Sequence, residues 1–213
     1  MEPYKAVIFD MDGVIIDNNK IHVKAWEIFC KKYSLAKIEN YNHFFGRSNR
    51  DILPEIFNRS MTTTELKTFA AEKEAIYREI YAPKIKPING LIDLLKLLKD
   101  NGVKLAVATS AMRLNLDFVL ERLQIKEFFD LTVCEDDVQH AKPDPEIYLL
   151  TAKKLNVQPD ECLVFEDSIS GVNSGINAGM KVIGLTTTHT HVELFGTIFC
   201  VKDYKELLEL DVL

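Results

Sequence analysis

Tyr4-Lys5-Ala6-Val7-Ile8-Phe9-Asp10-Met11-Asp12-Gly13 decides how the rest of the chain is read. A short apolar run without alternation ends in a carboxylate, as a strand buried on both faces does. Runs of the same kind recur at residues 103–109, 131–134, 162–166, 182–186 and 198–201. Helical patterns at 91–101, 114–124, 145–155 and 168–178 separate most of them. Doubly buried strands alternating with helices predict an α/β fold with a mostly parallel sheet. One stretch breaks the alternation. Residues 20–82 carry only helical patterns, with Ile21, Ala25, Ile28 and Phe29 on one face and Leu66, Phe69 and Ala70 on another. This predicts a helical insertion after the first strand, residues 18–84. Pro83 and Pro87 mark the return to the core, because proline seldom sits inside a helix. The core is then 1–17 and 85–213.

The composition narrows the class. Apolar residues make up 47% and charged residues 27%, the globular range, which excludes a disordered or fibrous chain. No apolar stretch approaches the ~20 residues that span a bilayer, so no membrane partner is expected. Met1-Glu2-Pro3 leads straight into the first strand without the basic-then-apolar order of a secretory signal. Cys30, Cys134, Cys162 and Cys200 are far apart and form no CxxC pair, which points to buried free thiols in a reducing cytoplasm. A net charge of −6 argues against a nucleic-acid partner. The charge is uneven: +4 over residues 18–84 and −10 over the rest. A basic lid over an acidic metal site would have this distribution, and so would chance surface charge. A monomer is expected.

In an open α/β sheet, ligands bind outside the carboxyl ends of the strands. The polar residues there form a set. Strand one ends in Asp10 and Asp12, strand two in Thr109-Ser110, and strand four in Glu166-Asp167-Ser168; Lys142-Pro143 follows strand three. Carboxylates with a lysine and a hydroxyl suit a divalent cation held by oxygens beside a phosphate. Gly13 permits the chain to turn after Asp10. Asp10 could attack phosphorus and form an acyl-phosphate, and Asp12 could pass a proton to the leaving oxygen and later take one from water. Asp10, the Asp12 backbone carbonyl and Asp167 would suffice as Mg²⁺ ligands. Lys142 would offset the charge, and the Thr109 hydroxyl and Ser110 amide would donate to phosphoryl oxygens. Singly, each motif has a plainer reading: a turn, a Ser110 helix cap, a solvated loop, an acidic helix start. The four in order, each at a strand end, make the chemical reading.

Phe9-Asp10-Met11-Asp12-Gly13-Val14-Ile15-Ile16-Asp17, Val107-Ala108-Thr109-Ser110, Lys142-Pro143-Asp144-Pro145 and Phe165-Glu166-Asp167-Ser168 resemble the four motifs of the haloacid-dehalogenase-like superfamily, in the subgroup of β-phosphoglucomutase and many small-molecule phosphatases. The resemblance implies a Rossmann-like core with the first strand central, an α-helical cap domain, Mg²⁺ and an aspartyl-phosphate intermediate. It implies Asp10 as nucleophile, Asp12 as acid/base, Thr109 and Lys142 as phosphate contacts, and Glu166 and Asp167 as acids of a metal site shared with Asp10 and Asp12. Dehalogenating members lack the second aspartate, so Asp12 points to phosphoryl transfer.

Within the subgroup, the expected reaction is hydrolysis of a small phosphorylated metabolite, a sugar phosphate. The alternative is a β-phosphoglucomutase; a silent binding protein on the same fold is disfavoured because Asp10, Asp12 and Lys142 are all present. His22 and Lys73 match cap residues that face the mutase site, and Trp26 reads as insertion core. The departures favour hydrolysis: Asn18 stands where the mutases have Thr or Ser, Asn49 where they have an arginine, and Ala111-Met112-Arg113 where they have Ser-Lys-Asn. Arg47, Arg50 or Arg113 could restore a second phosphate grip. Gly171, Gly175 and Gly179 read as close helix packing. The Thr186–His191 segment reads as a surface loop, and so does Glu135-Asp136-Asp137.

Overall fold

Four apolar residues, Ala6–Phe9 (β1), are buried without exception and carry a strand on each side. The computed structural model describes residues 4–41 and 44–210, so the Met1–Pro3 start lies outside the described residues. Lys104–Ala108 (β2) and Leu131–Val133 (β3) lie on one side of β1. Cys162–Glu166 (β4), Lys181–Leu185 (β5) and Phe199–Val201 (β6) lie on the other. All pairings are parallel and the order is β3-β2-β1-β4-β5-β6, with the first strand central. The order reverses beside β1, and that switch point is where such a sheet opens a ligand crevice.

The insertion comes first among the helices: Asn19–Lys32 (α1), Asn49–Phe57 (α2) and Thr63–Tyr81 (α3). The core helices are Leu91–Asp100 (α4), Arg113–Leu123 (α5), Glu146–Leu155 (α6), Ile169–Asn177 (α7) and Tyr204–Glu209 (α8). One face of the sheet packs Phe9, Phe165, Leu94, Leu116 and Tyr204. The other packs Ile8, Val164, Tyr148 and Val172. Trp26, Phe29, Phe44, Ile52 and Leu53 form a separate cluster within the insertion. A capping box between Thr62 and Glu65 starts α3 by satisfying end amides. The strands entering and leaving the insertion meet: Ile16 bridges Pro87, and the Ile88 amide donates to Ile15 O at 2.9 Å.

Helix α7 lies close on the sheet because Gly171 and Gly175 have no side chain. A Cβ on Gly175 would press on Val182, and one on Gly171 would enter the Glu166 carboxylate. Helix α8 carries no expectation from sequence. It starts on Asp203, whose side chain accepts from the Glu206 amide at 2.9 Å, and its Tyr204 hydroxyl donates to Val14 O at 3.0 Å. The four cysteines are free. No helix among the described residues is long and apolar enough to cross a membrane.

Candidate active site

Register sets the site. Phe9 lies level with Phe165, and the Asp10 amide donates to Phe165 O at 3.0 Å, so Asp10 and Glu166 leave adjacent strand ends together. Their carboxylates would repel in a buried place, and Lys142 Nζ sits between them, 2.7 Å from Asp10 Oδ1 and 2.6 Å from Glu166 Oε1. It also reaches Ala108 O and the Tyr148 hydroxyl, at 3.2 and 3.1 Å. The ammonium is 2% exposed. Burial works to lower its pKa, but Asp10 and Glu166 hold it well above the usual lysine value.

Asp10, Glu166 and Asp167 each offer an oxygen, all within 4.8 Å of one another. Burial raises the Asp10 carboxyl to about 8, with Lys142 opposing and Glu166 and Asp12 adding to the rise. Burial, Glu166 and Asp10 push Asp167 up in the same direction. When all three are ionised, three carboxylates against one lysine leave two negative charges over, which a divalent cation would balance. Glu166 has already committed its oxygens. Oε1 accepts from Lys142 and Tyr148, and Oε2 accepts from the Asp167 and Ser168 amides and the Ser168 hydroxyl. Glu166 therefore positions Lys142 and the turn behind the site while remaining in the carboxylate cluster with Asp10 and Asp167. The Asp12 carboxylate stands apart from the cluster. It accepts from Asn18 Nδ2 at 2.6 Å and lies 3.6 Å from His22 Nε2.

Gly13, at φ +78°, makes the turn between these carboxylates. A side chain there would be strained and would collide with Asp167. The Thr186–His191 segment is a loop exposed at Thr186, Thr190 and His191, and its middle turns to the site. The Thr187 hydroxyl donates to Gly13 O at 2.6 Å, Thr188 donates to the Asp167 carboxylate, and His189 Nδ1 lies 3.0 Å from Asp167 O. Asn19 Nδ2 donates to Thr188, which joins α1 to this loop.

A cleft opens between these strand ends and the insertion, walled by Asp10, Asp12, Thr109, Ser110, His22 and Lys73 among others. Thr109 Oγ1 accepts from the Ala111 amide at 3.1 Å. Ser110 does not cap α5, because Met112 holds the N-cap position. His22 stacks on Tyr77 with 4.1 Å between ring centres. Lys73 Nζ is 2.8 Å from His22 Nδ1; an ammonium has only hydrogens to offer, so Nδ1 accepts and the ring proton sits on Nε2, facing Asp12. Asn18 Nδ2 meets Asp12, Tyr77 and His22, while its Oδ1 is buried without a partner among the described residues.

The three arginines go to different places. Arg47 reaches the cleft wall, where Glu55 holds it at 3.1 Å. Arg50 does not reach the cleft. A helix turns about 100° per residue, and α2 gives Asn49 to the cleft and points Arg50 to a smaller pocket beside Glu135 and Gln139. Arg113 is bound away from the cleft by Asp137 at 2.6 Å and Thr132 at 3.0 Å. Glu135 is not solvated either: burial raises its carboxyl to about 7 against the pull of Arg50. Sequence reasoning missed Glu74, Asn115 and the Thr187–His189 contacts. Only the polar residue types at those positions could have signalled them.

The haloacid dehalogenase-like hydrolase model matches residues 7–185, from β1 to the end of β5. The chain belongs to the haloacid dehalogenase-like hydrolase family. A phosphorylated carbohydrates phosphatase of Thermotoga maritima is 32% identical over 206 residues, 96% of this chain and 90% of that protein. A beta-phosphoglucomutase of Bacillus subtilis is 31% identical, over 85% of this chain and 83% of its own. The crystal structure of a family IA, variant 3 hydrolase from Entamoeba histolytica superposes with a TM-score of 0.87 at 30% identity, covering 95% of this chain and 94% of that one. This family of hydrolases, with named phosphatases among its members, is the enzyme class of the chain.

Proposed function

We propose that this enzyme is an Mg²⁺-dependent phosphatase of small phosphorylated sugars that works through an aspartyl-phosphate at Asp10. The observation that carries the reading is the pairing of Asp10 with Lys142 at a strand end, with the Asp12 carboxylate separate from that pair and facing the same cleft. Similarity to a phosphorylated carbohydrates phosphatase supports the substrate class. In this reading residues 18–84 act as a cap on the core of 1–17 and 85–213.

The donor set fits the metal: buried oxygens only, with two charges unbalanced. Asp10, Asp167 and the Asp12 carbonyl would hold Mg²⁺, which when bound neutralises charge so that a carboxylate and a phosphoryl group can approach. The chain's residues do the rest. Lys142 fixes Asp10 Oδ1 and leaves Oδ2 to attack phosphorus. The Thr109 hydroxyl and Ser110 amide hold phosphoryl oxygens. As the ester P–O bond breaks, Asp12 gives its proton to the leaving oxygen. Asp12 then takes a proton from water, the oxygen attacks phosphorus, and the Asp10–phosphorus bond breaks to release phosphate.

A screen of phosphate release across sugar phosphates tests this. Turnover of at least one monoester, lost on chelation and restored by Mg²⁺, and absent in a folded Asp10→Asn chain, is expected. Release that survives in Asp10→Asn contradicts it. The contact of Lys73 with His22 beside Asp12 favours a second reading, the mutase. Rapid glucose 6-phosphate formation from β-glucose 1-phosphate without free phosphate would select it.

A further inference from the structure

We infer that Glu74 sets the substrate class of this cleft: it admits phosphomonoesters whose far end is an uncharged, hydroxyl-bearing body and works against those with a second phosphate. The inference rests on the phosphatase reading above and narrows it.

A site that grips two phosphates needs a cation to spare at each end. Among the described residues, Arg47 and Lys73 are the lysine and arginine side chains on the cleft wall. Each faces a carboxylate, Arg47 with Glu55 and Lys73 with Glu74. The two pairs differ in kind. The Arg47–Glu55 pair is partly exposed and can exchange partners at modest cost, so the Lys73 side of the cleft is where Glu74 decides whether a charged far end is held. The Lys73–Glu74 pair, at 2.7 Å, has side chains 3% and 4% exposed. Neither partner of a buried pair can let go without leaving the other charge uncompensated.

Glu74 holds more than Lys73. Its Oε1 also accepts from Asn49 Nδ2 at 2.8 Å, and its Oε2 accepts from Asn115 Nδ2 at 2.6 Å. Asn115 Oδ1 in turn accepts from Arg78 at 2.6 Å. One carboxylate on α3 thus fixes an amide of α2 and an amide of α5, and all three residues line the cleft. This wall is rich in hydrogen-bonding groups and has no net charge from Lys73 and Glu74. Sugar hydroxyls both donate and accept, so they match it. A second phosphate only accepts; here it meets a lysine already neutralised and a carboxylate beside it.

The test compares a hexose monophosphate with the matching hexose bisphosphate, by phosphate release, in wild type, Glu74→Gln and Lys73→Met. Wild type should favour the monophosphate in kcat/KM by ~10-fold or more, the worth of one charge-assisted hydrogen bond. Glu74→Gln frees the Lys73 charge and should move the ratio toward the bisphosphate by a similar factor. Lys73→Met leaves Glu74 uncompensated and should move it the other way. A merely structural role would lower both substrates alike and leave the ratio still, which overturns the inference. If neither variant folds, as judged by circular dichroism, the wild-type ratio decides alone: equal or better use of the bisphosphate overturns the inference while the phosphatase reading stands. No phosphate release from any ester, p-nitrophenyl phosphate included, overturns the phosphatase reading and the inference with it.

Discussion

Replacing Lys142 with methionine should damage stability in a pH-dependent way. The side chain keeps most of its length, so packing changes little and the charge is what is lost. Its ammonium lies between Asp10 and Glu166, all buried. Breaking a buried pair by removing one partner costs about 3–5 kcal/mol. For a chain of this size that lowers Tm by about 6–20 °C. The sign of the pH dependence follows from Asp10. Burial already holds its carboxyl at about 8, above its ordinary 3.8. An acid whose pKa rises on folding takes up a proton, so its contribution is fully present below the unfolded pKa and is lost as pH rises toward the folded one. Without the lysine the carboxyl rises further. The variant should therefore keep a constant gap from wild type between pH 5 and about pH 7, and that gap should begin to widen near pH 8, in chelator. Adding Asp10→Asn should recover part of the loss, because the uncompensated charge is gone. Urea titrations of the four chains at pH 5 and pH 8 measure this. A loss below about 1 kcal/mol, or one larger at pH 5 than at pH 8, refutes the reasoning.

Asp12→Ala should slow hydrolysis of a sugar phosphate by about 10²–10⁴-fold and of p-nitrophenyl phosphate far less, since nitrophenolate leaves without a proton; parallel kinetics check it. Gly13→Ala should cost about 1–2 kcal/mol for the left-handed backbone and displace Asp167, so that Mg²⁺ no longer raises Tm. Wild type should gain Tm with Mg²⁺ as the logarithm of one plus the ligand concentration over Kd, and chelator should silence it reversibly, with Ca²⁺ failing to substitute. At Glu74 burial favours the neutral acid, but the Lys73 ammonium and the Asn49 amide bring the carboxyl to about 2 from 4.5. Stability from that pairing is present above pH 4.5 and lost as pH falls toward 2, so acid titration should shrink the advantage of wild type over Glu74→Gln.

The parallel core was readable because doubly buried strands leave unbroken apolar runs, and strand ends are where such a sheet exposes chemistry. Asp10, Thr109 and Asp167 needed no more than that. Arg50 lines a second pocket, which shares Ser110 with the cleft and also holds Lys142, because one residue of phase on α2 separates it from Asn49, and no periodicity fixes phase so finely. Glu74 beside Lys73 looks like an ordinary solvated pair; its burial depends on Asn115, 41 residues away. The polar run at Thr187–His189 reads as solvent loop until Gly13 O and Asp167 supply partners from distant strand ends. Helix α8, six residues long, is too short for a helical repeat to register.

The most direct test of the account is a trapped intermediate. The enzyme is mixed with a turned-over sugar phosphate and Mg²⁺, quenched in acid, reduced with borohydride and mapped by tandem mass spectrometry. Reduction of an aspartyl-phosphate converts that aspartate to homoserine. Homoserine at position 10, absent without substrate and absent at Asp12 and Asp167, is the predicted result. Steady turnover with Asp10 unmodified, or with the label on another carboxylate, would contradict it.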